Sequence, residues 1–70
     1  MSKAAQRREK RERQAAMVRE LGELRAGLDG AYSVFNHTAD PEMVEASILE
    51  IGALQSKYGC LLRSLKSFML

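Results

Sequence analysis

The chain has 70 residues, of which 46% are apolar and 29% charged, a composition typical of a small globular or coiled-coil protein. This length excludes kinases, barrels and cofactor-binding α/β domains, which are all much longer. A body this small usually depends on disulfides, a metal or a partner chain. Because its single cysteine has no Cys or His cluster around it, we expect a partner chain and a reducing, cytoplasmic location.

Residues 1–13 form a basic N-terminal arm that carries a net charge of +4, whereas residues 14–70 carry −2. More charge follows the basic start, so no secretory signal is predicted. No apolar run approaches the roughly 20 residues that a membrane-spanning helix needs. We therefore predict that the chain has no transmembrane segment.

The arm has three possible roles. Its candidate phosphate contacts are Arg7, Arg8, Lys10, Arg11 and Arg13, which could bind nucleic acid without sequence preference. Glu9 and Glu12 interrupt this run, and no aromatic residue is available to stack on bases. Contact with anionic lipid is the second possibility, although the arm lacks the large apolar side chains that an interfacial helix buries. The third is a solvated helical extension.

An apolar stripe at alternating intervals of three and four residues predicts a helix over about 14–36. Its members are Met17, Leu21, Leu24, Leu28, Ala31 and Phe35. Val18 and Tyr32 widen the stripe on one side. The basic arm is expected to continue this helix or to fray from it.

Turn-forming residues cluster around the single proline and predict a turn over residues 37–40. Asp40 has the character of a helix N-cap, and Pro41 suits the first position of a helix. Glu42 adds negative charge at the positive end of the helix dipole. A second helix is therefore predicted over about 41–67.

The second helix carries a longer stripe with the same spacing. Its members are Val44, Ser47, Ile51, Leu54, Tyr58, Leu61, Leu65 and Phe68, and the stripe is thickened by Ile48, Leu62 and Met69. The short turn forces the two helices to pack as antiparallel neighbours. We predict an all-α fold, an antiparallel two-helix hairpin over residues 14–70 with coiled-coil spacing. Gly27 and Gly52 lie at similar heights along this hairpin. Either they allow the two helices to approach closely there, or they are tolerated variation on the surface.

Two helices alone cannot bury such wide stripes, so part of the apolar surface is expected to pack on another chain. The candidate protein interface consists of apolar residues of the second helix: Ile48, Ile51, Leu54, Tyr58, Leu61, Leu62 and Leu65. A homodimer that forms a four-helix bundle is the simplest arrangement. A different protein partner is the alternative.

Residues 31–66, AYSVFNHTADPEMVEASILEIGALQSKYGCLLRSLK, resemble the YaaL-like family of short bacterial proteins. The similarity lies in the order and spacing of Tyr32 and Phe35, Asp40-Pro41, Glu50, Ala53, Tyr58, Leu61-Leu62-Arg63 and Lys66. Gly59-Cys60 departs from the family, in which bulkier residues often precede the paired leucines. The resemblance implies a cytoplasmic bacterial protein with a helical hairpin, of unknown function, and with no assigned activity, cofactor or catalytic residue.

Few residues could act in catalysis or metal binding, and each is better explained by a structural role. Cys60 lies late in a helix beside two leucines, where we expect a partly buried thiol and not a reactive one. His37 is expected to satisfy carbonyl groups at the end of the first helix. No nucleophile, base and orienting group can be assembled, so we predict no enzyme activity and no cofactor. The expected function is a non-catalytic protein-interaction module; binding of nucleic acid through the arm and attachment to a membrane surface are the alternatives.

Overall fold

The computed structural model describes residues 2–69, which form two α-helices. Helix α1 spans Lys3–His37 and helix α2 spans Pro41–Met69. The two helices pack side by side as an antiparallel hairpin with extents of 57 × 15 × 15 Å. The predicted all-α hairpin is confirmed. Helix α1 includes residues 3–13 of the basic arm, so the arm continues the first helix. Met1, the first residue of the predicted arm, and Leu70, the last residue of the predicted hairpin, lie outside the described residues.

Local interactions explain why the basic arm is helical. The hydroxyl of Ser2 accepts a hydrogen bond of 3.1 Å from the backbone N–H of Ala5, which satisfies one of the free donors at the start of α1. Glu9 and Arg13 are four residues apart in the order that stabilises a helix. These local interactions favour the helical conformation in the first turns of α1.

The connection between the helices is closed by its own side chains. Asp40 caps α2: its carboxylate accepts a hydrogen bond of 3.0 Å from the backbone N–H of Glu42. Thr38 accepts one of 3.2 Å from the backbone N–H of Asp40. His37 is the last residue of α1, and its Nδ1 lies 2.7 Å from the carbonyl oxygen of Ser33, so its predicted role at the end of the first helix is confirmed. The N-cap role predicted for Asp40 is confirmed as well.

The core is a single seam between the helices. Ala31, Ser47 and Leu65 are buried, and most other stripe residues are half-buried in the positions that the spacing predicts. The half-buried members are Met17, Leu21, Leu24, Leu28, Val44, Ile51, Leu54, Tyr58, Leu61 and Phe68. Phe35 differs, since it stays exposed at the turn end, where no second layer covers α1.

The glycines do not form the paired close approach that was one of the two alternatives. A Cβ built on Gly27 would meet the Leu54 side chain at 3.5 Å, so the absence of a side chain there lets Leu54 pack on α1. Gly52 has nothing within 4 Å of such a Cβ and lies on the outer surface of α2. Gly27 therefore has a packing role, and Gly52 marks an open strip of helix surface.

Candidate protein interface

One hydrogen bond identifies which sides of the two helices meet at an edge of the hairpin. The side-chain amide of Gln55 donates to the hydroxyl of Tyr32 over 2.9 Å. Residues seven apart lie on nearly the same side of a packed helix. Tyr32 is in one row with Val18 and Arg25, and Gln55 is in another with Ile48, Leu62 and Met69. The two rows that widen the predicted stripes therefore run along the same edge.

This edge exposes large apolar side chains from both helices. We call it the apolar edge and define it by Val18, Tyr32, Ile48, Leu62 and Met69. Ile48 is 54% exposed and Met69 63% exposed, Val18 and Tyr32 are also exposed, and Leu62 is half-buried. A shallow depression lined by Arg11, Gln14, Ala15, Val18 and Arg19 adjoins its terminal part. The apolar edge thus has exposed apolar side chains toward both ends of the hairpin, with Arg25 and Gln55 between them.

The seven residues of the candidate protein interface fall into two groups. Ile51, Leu54, Tyr58, Leu61 and Leu65 lie in the seam and pack toward α1, because they are the members of the stripe at three- and four-residue spacing. Ile48 and Leu62 lie on the apolar edge. The structure thereby narrows the available surface of α2 and adds Val18 and Tyr32 from α1, which the sequence pattern identified only as a flank.

The opposite edge is polar along its middle. A shallow depression there is lined by Glu20, Lys57, Cys60, Leu61 and Ser64. Cys60 is exposed, so the expectation of partial burial is wrong. One residue along a helix turns the side chain by about 100°, and this step carries Cys60 out of the seam that Leu61 occupies.

The terminal end of the hairpin brings the basic arm onto α2. The Lys10 ammonium lies 5.6 Å from the centre of the Phe68 ring, and the Arg13 guanidinium lies 5.5 Å from it. Both distances are within the range of cation–π attraction. Arg7, Arg8 and Arg11 are exposed. All five candidate phosphate contacts are exposed, and two of them, Lys10 and Arg13, also lie against an aromatic ring.

Charge is strongly polarised along the hairpin. All eleven Lys and Arg residues lie in 1–25 and 56–70, the terminal half, which carries a net side-chain charge of +7. Residues 26–55, the turn half, contain five acidic residues and no Lys or Arg, for a net −5. Sequence reasoning found only the basic arm. The predicted turn brings the C-terminal part of α2 next to the N-terminal part of α1, so the cations Arg63 and Lys66 lie near the arm. This combined positive charge could have been predicted from the sequence and the turn together.

Residues 2–69 show neither a metal-binding cluster nor a membrane-spanning helix. No group of three or more His, Cys, Asp or Glu side chains in this range could hold a metal ion. Neither helix, over the same range, has the length and apolar character needed to cross a membrane. Within this range, the apolar edge remains as the candidate site, with exposed large apolar side chains from both helices.

No family model, curated protein or solved structure is similar to the chain at a significant level. The resemblance to the YaaL-like family therefore stays a prediction based on the residues quoted for it.

Proposed function

We propose that the chain is a small, non-catalytic protein-interaction module of the bacterial cytoplasm that binds through its apolar edge. The observation that carries the proposal is the joining of two apolar flanks, one from each helix, along one side of the hairpin. Exposed apolar side chains grouped on one side and accompanied by polar residues are typical of protein–protein contact sites. Its simplest occupant is a second copy of the chain, in a four-helix bundle.

The energetics of the hairpin support this proposal. Only three residues of the described range are buried, and none of its side chains is completely enclosed. Each large apolar side chain that becomes fully buried contributes about 1.5–3 kcal/mol. Covering the exposed members of the apolar edge therefore stabilises the helices as well as the contact, which is how small domains commonly compensate for a thin core.

The test is the molar mass of the protein by sedimentation equilibrium, compared between two single variants. Ile48→Asp places a charge on the apolar edge, and we expect it to weaken self-association by at least ten-fold because a buried, unpaired carboxylate is costly. Leu49→Asp is the matched control, since Leu49 is the next residue and is 69% exposed on the outer side of α2. Equal effects of the two variants, or a wild-type monomer at high micromolar concentration, would contradict the proposal.

A second candidate function is binding of a polyanion by the terminal half, which the net charge of +7 favours. Arg7, Arg8 and Arg11 together replaced by Gln would remove about three phosphate contacts and lower the salt dependence of DNA binding by a corresponding amount. The measurement is fluorescence anisotropy of a labelled duplex over a salt series. Glu50→Gln, a single charge change at an exposed position of the turn half, is the control.

A further inference from the structure

The apolar edge can meet the same edge of a second copy in two ways that preserve two-fold symmetry. With the axis along the hairpin, both turns lie at one end and α1 lies over α2 of the second copy. With the axis across the hairpin, each turn lies beside the termini of the other copy, and α2 lies over α2. The first arrangement is parallel and the second antiparallel.

Apolar contact does not distinguish the two arrangements. Gly27 lies beside Leu54, which places Arg25 and Gln55 at similar heights near the middle of the hairpin. In the parallel arrangement, Ile48 of one copy therefore lies over Tyr32 of the other, and in the antiparallel arrangement it lies over Leu62. Either way, apolar side chains of the edge cover one another.

Charge does distinguish them. The parallel arrangement sets the turn half, at −5, beside another turn half and the terminal half, at +7, beside another terminal half. The antiparallel arrangement sets −5 beside +7 at both ends. Because it also lays α1 over α1, it places Arg25 beside its own copy at the centre, a single like-charge pair against the opposite charges of the two ends. Packed helices lie about 8–10 Å apart, which is within the Debye length of about 10 Å at 0.1 M salt. Repulsion in the parallel arrangement is therefore not screened away.

We infer that the occupant of the apolar edge is a second copy of the chain in the antiparallel arrangement, with α2 packed on α2. This inference rests on the proposed function and adds the orientation of the second copy. The row of α2 next to the apolar edge contains Glu45, Gly52, Gly59 and Lys66 at intervals of seven. Gly52, near the centre, has open space around its Cα, so a second helix can approach closely there.

The inference also predicts one specific pair of charges. Glu45 and Lys66 are about equally far from the central Gln55, on opposite sides of it. The antiparallel arrangement therefore places Glu45 of each copy beside Lys66 of the other. Within one chain they are 21 residues apart on a single helix, about 30 Å at 1.5 Å per residue, so any coupling between them must arise across the contact.

The orientation is tested by a distance between spin labels in the full chain. Ala39→Cys, combined with Cys60→Ser, places one label per copy at the exposed turn. The antiparallel arrangement separates the two labels by about 45 Å, from the helical rise, whereas the parallel arrangement brings them within about 20 Å, from the helix spacing. A single long distance supports the inference. A short distance overturns it and leaves the proposed function standing, whereas a monomer with no distance overturns both.

A charge exchange provides a second, independent test. Glu45→Lys should weaken self-association by roughly three- to ten-fold, since two exposed pairs are lost per dimer. Adding Lys66→Glu should restore most of that loss, because the exchanged charges attract again. The control pairs Glu50→Lys with Lys66→Glu, because Glu50 is exposed and lies five residues from Glu45, about 140° around α2. If the control restores association as well as the Glu45 pair does, the predicted register is wrong.

Discussion

Phe68 ties the basic arm to the end of α2. Its half-buried ring receives both Lys10 and Arg13 at cation–π distance. The two cations are three residues apart on α1, so one ring meets two successive positions of the same helix side. Two of the cations of the arm therefore make contacts within the chain.

Phe68→Leu tests this contact, because it keeps an apolar side chain and removes the ring. The two cation–π contacts are worth about 0.5–1 kcal/mol each at an exposed site. We therefore expect amide hydrogen exchange of residues 3–13 to become several-fold faster. Phe35→Leu, at the turn end, is the control and should leave exchange in that segment unchanged. Identical exchange in Phe68→Leu and the wild type would show that the ring does not hold the arm.

Contacts between residues close in sequence could be predicted, whereas contacts between residues far apart in sequence could not. The Asp40 cap and the His37 contact involve neighbours along the chain, and the local sequence around the proline is enough to predict them. The Phe68 contact joins residues more than fifty positions apart, so it becomes visible only when the register of the hairpin is known. Cys60 shows a different difficulty: whether it lies in the seam or beside it depends on one step of about 100° around the helix.

At the scale of the elements, the helices approach each other where small residues face the seam. Ala31 and Ser47 are the two most buried residues of the described range, at 4% and 3% exposure. The Ser47 hydroxyl donates to the carbonyl oxygen of Met43 over 2.8 Å, so its polar group is satisfied within α2. A small residue on each helix near the turn therefore permits the close spacing that the three-residue connection requires.

Ser47→Leu should force the helices apart at this point. Inserting a large side chain into a packed seam typically costs about 1–3 kcal/mol, and we expect a lower free energy of unfolding by that amount in urea titration. Ala46→Leu is the matched control, since Ala46 is adjacent and exposed, and should change stability by less than about 0.5 kcal/mol. Similar losses in the two variants would contradict a close approach at Ser47.

The elements themselves could be predicted closely from the sequence. Every member of the second stripe is at least half-buried, because a pattern with an average spacing of 3.5 residues can be buried only by a packed helix. The stripe also predicted burial of Phe35, which is exposed. Periodicity predicts which side of a helix a residue occupies, but not whether a side chain of the other helix covers it. The apolar edge was half predictable: both flanks were visible, but only the Tyr32–Gln55 hydrogen bond shows that they meet.

At the scale of the whole molecule, folding and association are expected to be coupled. A chain with so few enclosed side chains gains stability when its apolar edge is covered, and binding that favours the folded state raises the unfolding temperature with concentration. For a dimer of this size we expect about 4–5 °C per ten-fold increase in protein concentration, from the usual entropy of unfolding per residue.

The measurement is thermal unfolding followed by circular dichroism over a hundred-fold range of concentration. Ile48→Asp should abolish the dependence, whereas Leu49→Asp should retain it. An unfolding temperature that is independent of concentration in the wild-type protein would indicate a hairpin that is stable alone and would contradict the coupling.

The elongated shape has a consequence for how the molecule behaves in solution. The hairpin is almost four times as long as it is wide, and its radius of gyration is 16.7 Å, compared with about 11 Å for a compact domain of 70 residues. Such a rod has more hydrodynamic drag than a sphere of equal mass, so a single chain leaves a gel-filtration column at the volume of a larger globular protein. Two chains side by side form a thicker, relatively less elongated particle. Pairing therefore changes the elution volume less than it changes the mass, and the frictional ratio should fall as the copies associate.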